Sequence, residues 1–211
     1  MENANFAVTA GLFEGSLTVL AVSLGWMLGR APTATFHFNL DGLLWGVAGT
    51  LPLLAVLWLS ARIRWRPFAR IMQVLDETFI PLLRQCGILE LAVIALLAGM
   101  GEELLFRGIV QSWTAEKIGG AYGAAIALAV AAAIFGLLHC ATYTYAFLAM
   151  CVGLYLGAMW LACGNLLAPI TSHALYDFLA LVYLVRIRKS GAASPAGKDD
   201  RRDDERTEGS S

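Results

Sequence analysis

The sequence predicts an all-α protein, a polytopic transmembrane helix bundle of about six spans plus one interfacial amphipathic helix. Three observations predict it. Of the 211 residues, 58% are hydrophobic and 15% are charged, against roughly 25% charged in a soluble domain. The charges are also unevenly placed: residues 186–211 hold seven Lys or Arg and six Asp or Glu, 13 of the 31, and the first 185 residues hold the other 18. Finally, six stretches reach the roughly 20 mostly apolar residues that a helix needs to cross hydrocarbon. So few charges cannot cover a water-facing surface. A soluble globular enzyme, a nucleic-acid binder and a disordered protein are thereby excluded. The net charge of −1 says nothing about partners, because the charges of the tail nearly cancel.

The spans are read at about 6–29, 41–61, 88–113, 121–141, 144–163 and 165–187. The third is long enough to tilt or to project beyond the bilayer. Between the second and third, Arg62 to Gly87 carries five arginines with Pro67 and Pro81. Phe68, Ile71, Met72, Leu75 and Phe79 follow helical spacing there, the pattern of a helix lying at the interface. The fourth stretch is rich in Ala and Gly, so neighbouring backbones can approach it closely, and a central place in the bundle is expected for it. From Ser190 onward the chain is Gly, Ala, Ser, Pro and mixed charge, which reads as a disordered cytoplasmic tail. The organisation expected is a single transmembrane domain over 1–189, with its motif-bearing core at 86–187, followed by the tail at 190–211.

Arginine placement sets an expected orientation. Arg62, Arg64, Arg66, Arg70 and Arg84 share one loop, and Arg186, Arg188 and Lys189 follow the last span. Under the positive-inside rule both segments face the cytoplasm. Four spans separate them, so both termini are expected on the cytoplasmic side of a cell membrane, and the compact chain suits a bacterial one. The first apolar stretch lacks a basic leader and is too long for a signal peptide. Cys86, Cys140, Cys151 and Cys163 form no C-x-x-C pair, and the three that lie in apolar stretches read as small buried hydrophobes.

Ionisable groups within lipid are costly and mark function. They gather in three places: Gly101-Glu102-Glu103-Leu-Leu-Phe-Arg107 in the third span, Phe135-Gly-Leu-Leu-His139 in the fourth, and His173-Ala-Leu-Tyr-Asp177 in the sixth. Glu103 and Arg107 are one turn apart with the acid first, the better order for an ion pair. Glu102 is rotated about 100° from Glu103. One carboxylate can thus be neutralised by Arg107 while the other remains free to exchange a proton, as general base chemistry requires. His173 and Asp177 also share a face, so Asp177 can orient the imidazole. A rise of ~1.5 Å per residue allows Glu102, His139, His173 and Asp177 to converge on one cavity. Each constellation has a plainer reading taken alone: a Glu–Arg pair locks helices, and a lone His makes an interhelical hydrogen bond. Three of them on the last four spans favour a site. Glu14, alone in the first span, reads as a packing or interfacial residue. His37 reads as a solvated loop residue, and Glu90 as an anion at a helix start.

These motifs in this order, Glu102-Glu103-x-x-x-Arg107, Phe135-x-x-x-His139 and His173-x-x-x-Asp177, resemble those of the CPBP family, the CAAX protease and bacteriocin-processing (Abi) intramembrane endopeptidases. The resemblance covers roughly 86–187. It implies hydrolysis of a peptide bond in a membrane protein or peptide substrate. Glu102 would activate water, His139 would help hold it, Glu103 and Arg107 would support the geometry, and His173 and Asp177 would stabilise the oxyanion. An ionised Asp177 cannot donate a hydrogen bond, so it is either protonated or it orients His173. No cofactor is certain. If a metal takes part, Zn²⁺ on His139, His173 and Glu102 is the expected set, though the resemblance leans to metal-independent, glutamate-based chemistry. The competing readings are a non-catalytic membrane scaffold or bacteriocin-immunity protein of the same fold, and a proton-coupled carrier. The carrier would bring inverted repeats and broken helices, and the sequence has neither. H-E-x-x-H and Gly-x-Ser-Gly are also absent, which sets aside two other types of membrane protease.

Overall fold

The computed structural model describes residues 2–62 and 66–187. The expected tail at 190–211, and with it Arg64, Arg188 and Lys189, lies outside the described residues. Every described element is helical, and seven helices make the bundle: α1 (Glu2–Met27), α2 (Leu40–Arg62), α3 (Arg66–Leu83), α4 (Ile88–Ile118), α5 (Gly123–Leu138), α6 (Tyr143–Cys163) and α7 (Leu167–Ile187).

By length and composition α1, α2, α6 and α7 can each cross a membrane, and α3 with α4 forms a fifth candidate bent by 117°. The bend separates an interfacial helix from a spanning one. Large apolar side chains cover the outside: Trp26 is 85% exposed and Leu12 70%. Water would not tolerate such a surface, whereas acyl chains match it. The protein is an integral, multi-pass membrane protein.

Two spans differ from expectation. The third runs on to Ile118 as one 31-residue helix, α4, of which residues 104–111 are π-helical. The fourth, α5, has 16 residues and stops at Leu138, with His139 as its cap. The small residues of α5 face inward on one side only. Ala127, Ala131, Ala132, Phe135 and Gly136 are buried, while Ile126, Ile134 and Leu137 are exposed. The centre belongs instead to α4, where every residue from Gly101 to Ile109 is buried. In α3, Ile71 is buried and Phe68, Met72 and Leu75 are partly so, as their spacing predicts. Phe79 faces outward and Ile80 takes its place, because Leu75–Phe79 is also π-helical and shifts the register.

Hydrogen bonds fasten both ends of the bundle. At one end the 28–39 loop meets the α6–α7 turn. Leu166 N–H donates to the Thr35 carbonyl at 3.0 Å, and Asn165 Nδ2 donates to the His37 carbonyl at 2.8 Å. Arg30 also pairs with Glu116 at 3.1 Å. His37 is therefore tied into this end through its backbone. At the other end Arg186 donates to the carbonyls of Arg84 and Cys86. Arg84, before α4, and Arg186, at the end of α7, thus lie at the same end of the bundle.

Candidate active site

The site forms where α4, α5 and α7 meet, and close backbone approach makes the meeting possible. A Cβ at Gly99 would lie 2.7 Å from the Ala174 nitrogen, so α4 and α7 touch there through glycine. That contact sets His173 against the first turn after Gly99. His173 Nδ1 is 2.8 Å from Glu103 Oε1. Since a carboxylate only accepts, Nδ1–H is the donor.

The same Glu103 oxygen takes Arg107 Nη1 at 2.8 Å, and Arg107 Nη2 donates to the Gly153 carbonyl at 2.7 Å. One turn on, Gln111 Nε2 donates to the Gly157 carbonyl at 3.4 Å. Gly153 and Gly157 are one turn apart on α6: a Cβ at Gly157 would lie 2.6 Å from Gln111 Oε1, and one at Gly153 would lie 3.2 Å from Ala132 Cα of α5, so these glycines let α6 close on both neighbours. Glu103 is fully buried and Arg107 is 1% exposed. Burying such a pair is costly unless it is hydrogen-bonded; the contacts of Glu103 Oε1, Arg107 Nη1 and Arg107 Nη2 are made, and Glu103 Oε2 and Arg107 Nε are left without a partner. The expected Glu103–Arg107 pair is present, and it does more than expected: it anchors His173 as well.

Glu102, turned away from Glu103, faces two imidazoles. Its Oε1 lies 3.8 Å from His139 Nε2, and its Oε2 lies 3.9 Å from His173 Nε2. Asp177 Oδ2 is 3.4 Å from the same His173 nitrogen. His139 Nδ1 sits 2.8 Å from the Phe135 carbonyl, so Nδ1–H donates, and Nε2 of the neutral ring carries the lone pair toward Glu102. The Phe135 ring stacks on His139 with centroids 4.4 Å apart and meets His173 edge-on. It fixes both imidazoles from one side. His139 and Asp177 are partly exposed, while Glu102 and His173 are buried. All six residues named from the sequence therefore lie in one cluster.

The spacing around Glu102 is too long for direct hydrogen bonds and short enough for a shared solvent molecule to touch each group. Among the described residues no group of three or more His, Cys, Asp or Glu is arranged to hold a metal ion. His139, His173 and Glu102 do not form a ligand set in this arrangement.

Sequence reasoning missed three contributors. The Gly153 carbonyl receives Arg107, and no side-chain pattern announces a carbonyl. Tyr145 meets the His139 ring edge-on, with centroids 6.4 Å apart. Its signal, an aromatic just past the His139 turn, is indistinct in an apolar span. Glu14 lies within Coulombic range of Asp177, His173 and Glu102. Its signal was its isolation as an acid in an apolar span.

Residues 84–179, just under half of the chain, match the family model described as Rce1-like, type II CAAX prenyl endopeptidase Rce1-like. The match spans all three motifs and agrees with the family that they resemble. No curated protein and no solved structure matches the chain.

Proposed function

We propose, from the premise of an Rce1-like segment at residues 84–179, that the protein is an intramembrane endopeptidase. Its reaction is hydrolysis of a peptide bond in a membrane-associated protein or peptide, and its general base is Glu102. The observation that carries the reading is the placement of one buried carboxylate 3.8 and 3.9 Å from two imidazole nitrogens. The family description names CAAX prenyl substrates. For this chain the substrate class proposed is the broader one, a cleavable segment presented from the bilayer.

In this reading a water molecule sits among Glu102, His139 Nε2 and the incoming carbonyl. The His139 lone pair orients one O–H, and Glu102 takes the other proton as the oxygen attacks. The tetrahedral oxyanion is met by His173 in its doubly protonated form. Nδ1–H is held by Glu103, which leaves Nε2–H aimed at the developing charge. Asp177 beside Nε2 orients that ring, the second of the two roles open to it in the sequence. Glu102 then returns its proton to the departing amine nitrogen as the C–N bond breaks. No step passes through a metal. The end bearing Arg84 and Arg186 is assigned to the cytoplasm by the positive-inside rule. Taking α5 as a sixth crossing beside α1, α2, α4, α6 and α7 also puts both termini there.

The test is cleavage of a membrane-anchored peptide reporter by the purified protein in liposomes. Wild type is expected to cleave and Glu102→Gln to be inactive at unchanged Tm. Equal turnover by the two would overturn the base assignment. Absence of cleavage by wild type across a panel of anchored peptides would favour the scaffold reading.

A further inference from the structure

Helix α1 lies outside the family-matched segment, yet it reaches the site. A Cβ at Gly101 would lie 2.8 Å from the Glu14 carbonyl oxygen, 3.1 Å from Leu17 Cβ and 3.3 Å from the Thr18 nitrogen. So α1 is pressed against α4 one residue before Glu102. Glu14 and Thr18 are one turn apart and share that face. The Glu14 carboxyl group lies within Coulombic range of Asp177, His173 and Glu102.

Glu14 Oε2, Thr18 Oγ1 and Glu102 Oε2 are each buried without a hydrogen-bond partner, as is the neighbouring Glu103 Oε2. A helical threonine commonly donates back to the carbonyl four residues earlier. For Thr18 that carbonyl belongs to Glu14, the one pressed against Gly101, and the hydroxyl is left over. Buried polar atoms are satisfied by protein or by ordered water, and a buried water typically makes about three hydrogen bonds. Of these, the oxygens of Glu14, Glu102 and Thr18 supply two acceptors from α1 and α4 and one hydroxyl that both donates and accepts.

Hydrolysis consumes one water per turnover, and the hydrocarbon core holds none to replace it. We propose that Glu14 and Thr18 are positioning residues that hold an internal water against Glu102, on the face of α4 turned toward α1, and that this water resupplies the attacking one. The role rests on the hydrolytic reading of the site. It goes beyond that reading by giving the N-terminal helix, and an acid that no motif includes, a share in the reaction.

The experiment uses the full chain in nanodiscs, with Glu14→Leu, Glu14→Gln, Thr18→Val and, as reference, Glu102→Gln. Reporter kinetics are measured alongside radiolytic labelling, in which X-ray activation of bound water oxidises adjacent side chains, here Leu17 and Met100. Loss of one water-holding hydrogen bond predicts about a tenfold fall in kcat at unchanged KM for Glu14→Leu and Thr18→Val. Glu14→Gln, which keeps the hydrogen-bonding shape, is expected to restore kcat. Labelling of Leu17 and Met100 is expected to be lost in Glu14→Leu and Thr18→Val and kept in Glu14→Gln. Wild-type kcat and labelling in both Glu14→Leu and Thr18→Val would overturn the proposal. So would a Glu14→Gln as slow as Glu14→Leu, since charge rather than water would then be the requirement. Thr18→Val, close to isosteric, decides the matter if Glu14→Leu fails to insert. A fully active Glu102→Gln would overturn the base assignment alone, absence of cleavage by wild type would overturn the peptidase reading, and in either case the labelling would still decide whether water is held.

Discussion

The two carboxylates of the Glu102–Glu103 pair are neighbours in sequence and opposites in environment. Glu103 is fully buried, and one of its oxygens receives Arg107 and His173 at 2.8 Å each. The imidazole nitrogens facing Glu102 lie at 3.8 and 3.9 Å, beyond direct hydrogen bonding, and Glu102 and Glu103 each leave Oε2 buried without a hydrogen-bond partner. One side of α4 is a closed lattice running from Gly153 through Arg107 and Glu103 to His173. The other is a loosely spaced ring bordered by the partly exposed His139 and Asp177. Two short charge-assisted contacts to one oxygen hold the Glu103 carboxylate in place, while its Oε2 is buried without a hydrogen-bond partner. The Glu102 carboxylate, without such contacts, can take a proton. The helical rotation of about 100° between adjacent residues divides a rigid support from a reactive group within one dipeptide.

Substitutions can break this division from either side. The largest effect on turnover is expected for Glu102→Gln, about a thousandfold in kcat with Tm unchanged, the middle of the range for removing a general base. Unequal loss of kcat and stability is the signature to measure. Arg107→Ala tests the support. It strands Glu103 in an apolar interior and is expected to destabilise the protein by about 3–5 kcal/mol, read as a lowered denaturation midpoint in detergent. A normal midpoint would contradict the lattice. His139→Leu is expected to lower kcat by about thirtyfold, the worth of one hydrogen bond to a charged group, with little change in stability because the ring is partly exposed. Asp177→Asn is expected to be mildest, below about tenfold in kcat, since the amide can still orient His173. A loss comparable with Glu102→Gln would show that the charge of Asp177 is required.

Much of this division is legible in the sequence. The acid–base order of Glu103 and Arg107, the one-turn spacing of His173 and Asp177, and the apolar context of both are local features, and helix geometry alone interprets them. Other features are not local. The Glu103–His173 bond joins residues 70 apart in the chain, and the Gly153 carbonyl carries no side-chain signal. The π-helical stretch at 104–111 departs from the 3.6-residue period, so a reading at that period does not reveal it. The small residues of α5 indicate close packing but not on how many faces. That is why the central place falls to α4, whose charged residues conceal its burial in any count of hydrophobicity. Glu14 was conspicuous as an acid in lipid, yet its partners lie on helices about 90 and 160 residues further along the chain.

The central claim is that Glu102 activates water and forms no bond to the substrate. Single-turnover cleavage of an anchored peptide in H₂¹⁸O, with mass spectrometry of product and enzyme, tests it most directly. The account predicts one ¹⁸O in the new C-terminal carboxylate of the product and none in the peptide containing Glu102. Label in the Glu102 carboxyl group would reveal a covalent acyl intermediate and contradict the account.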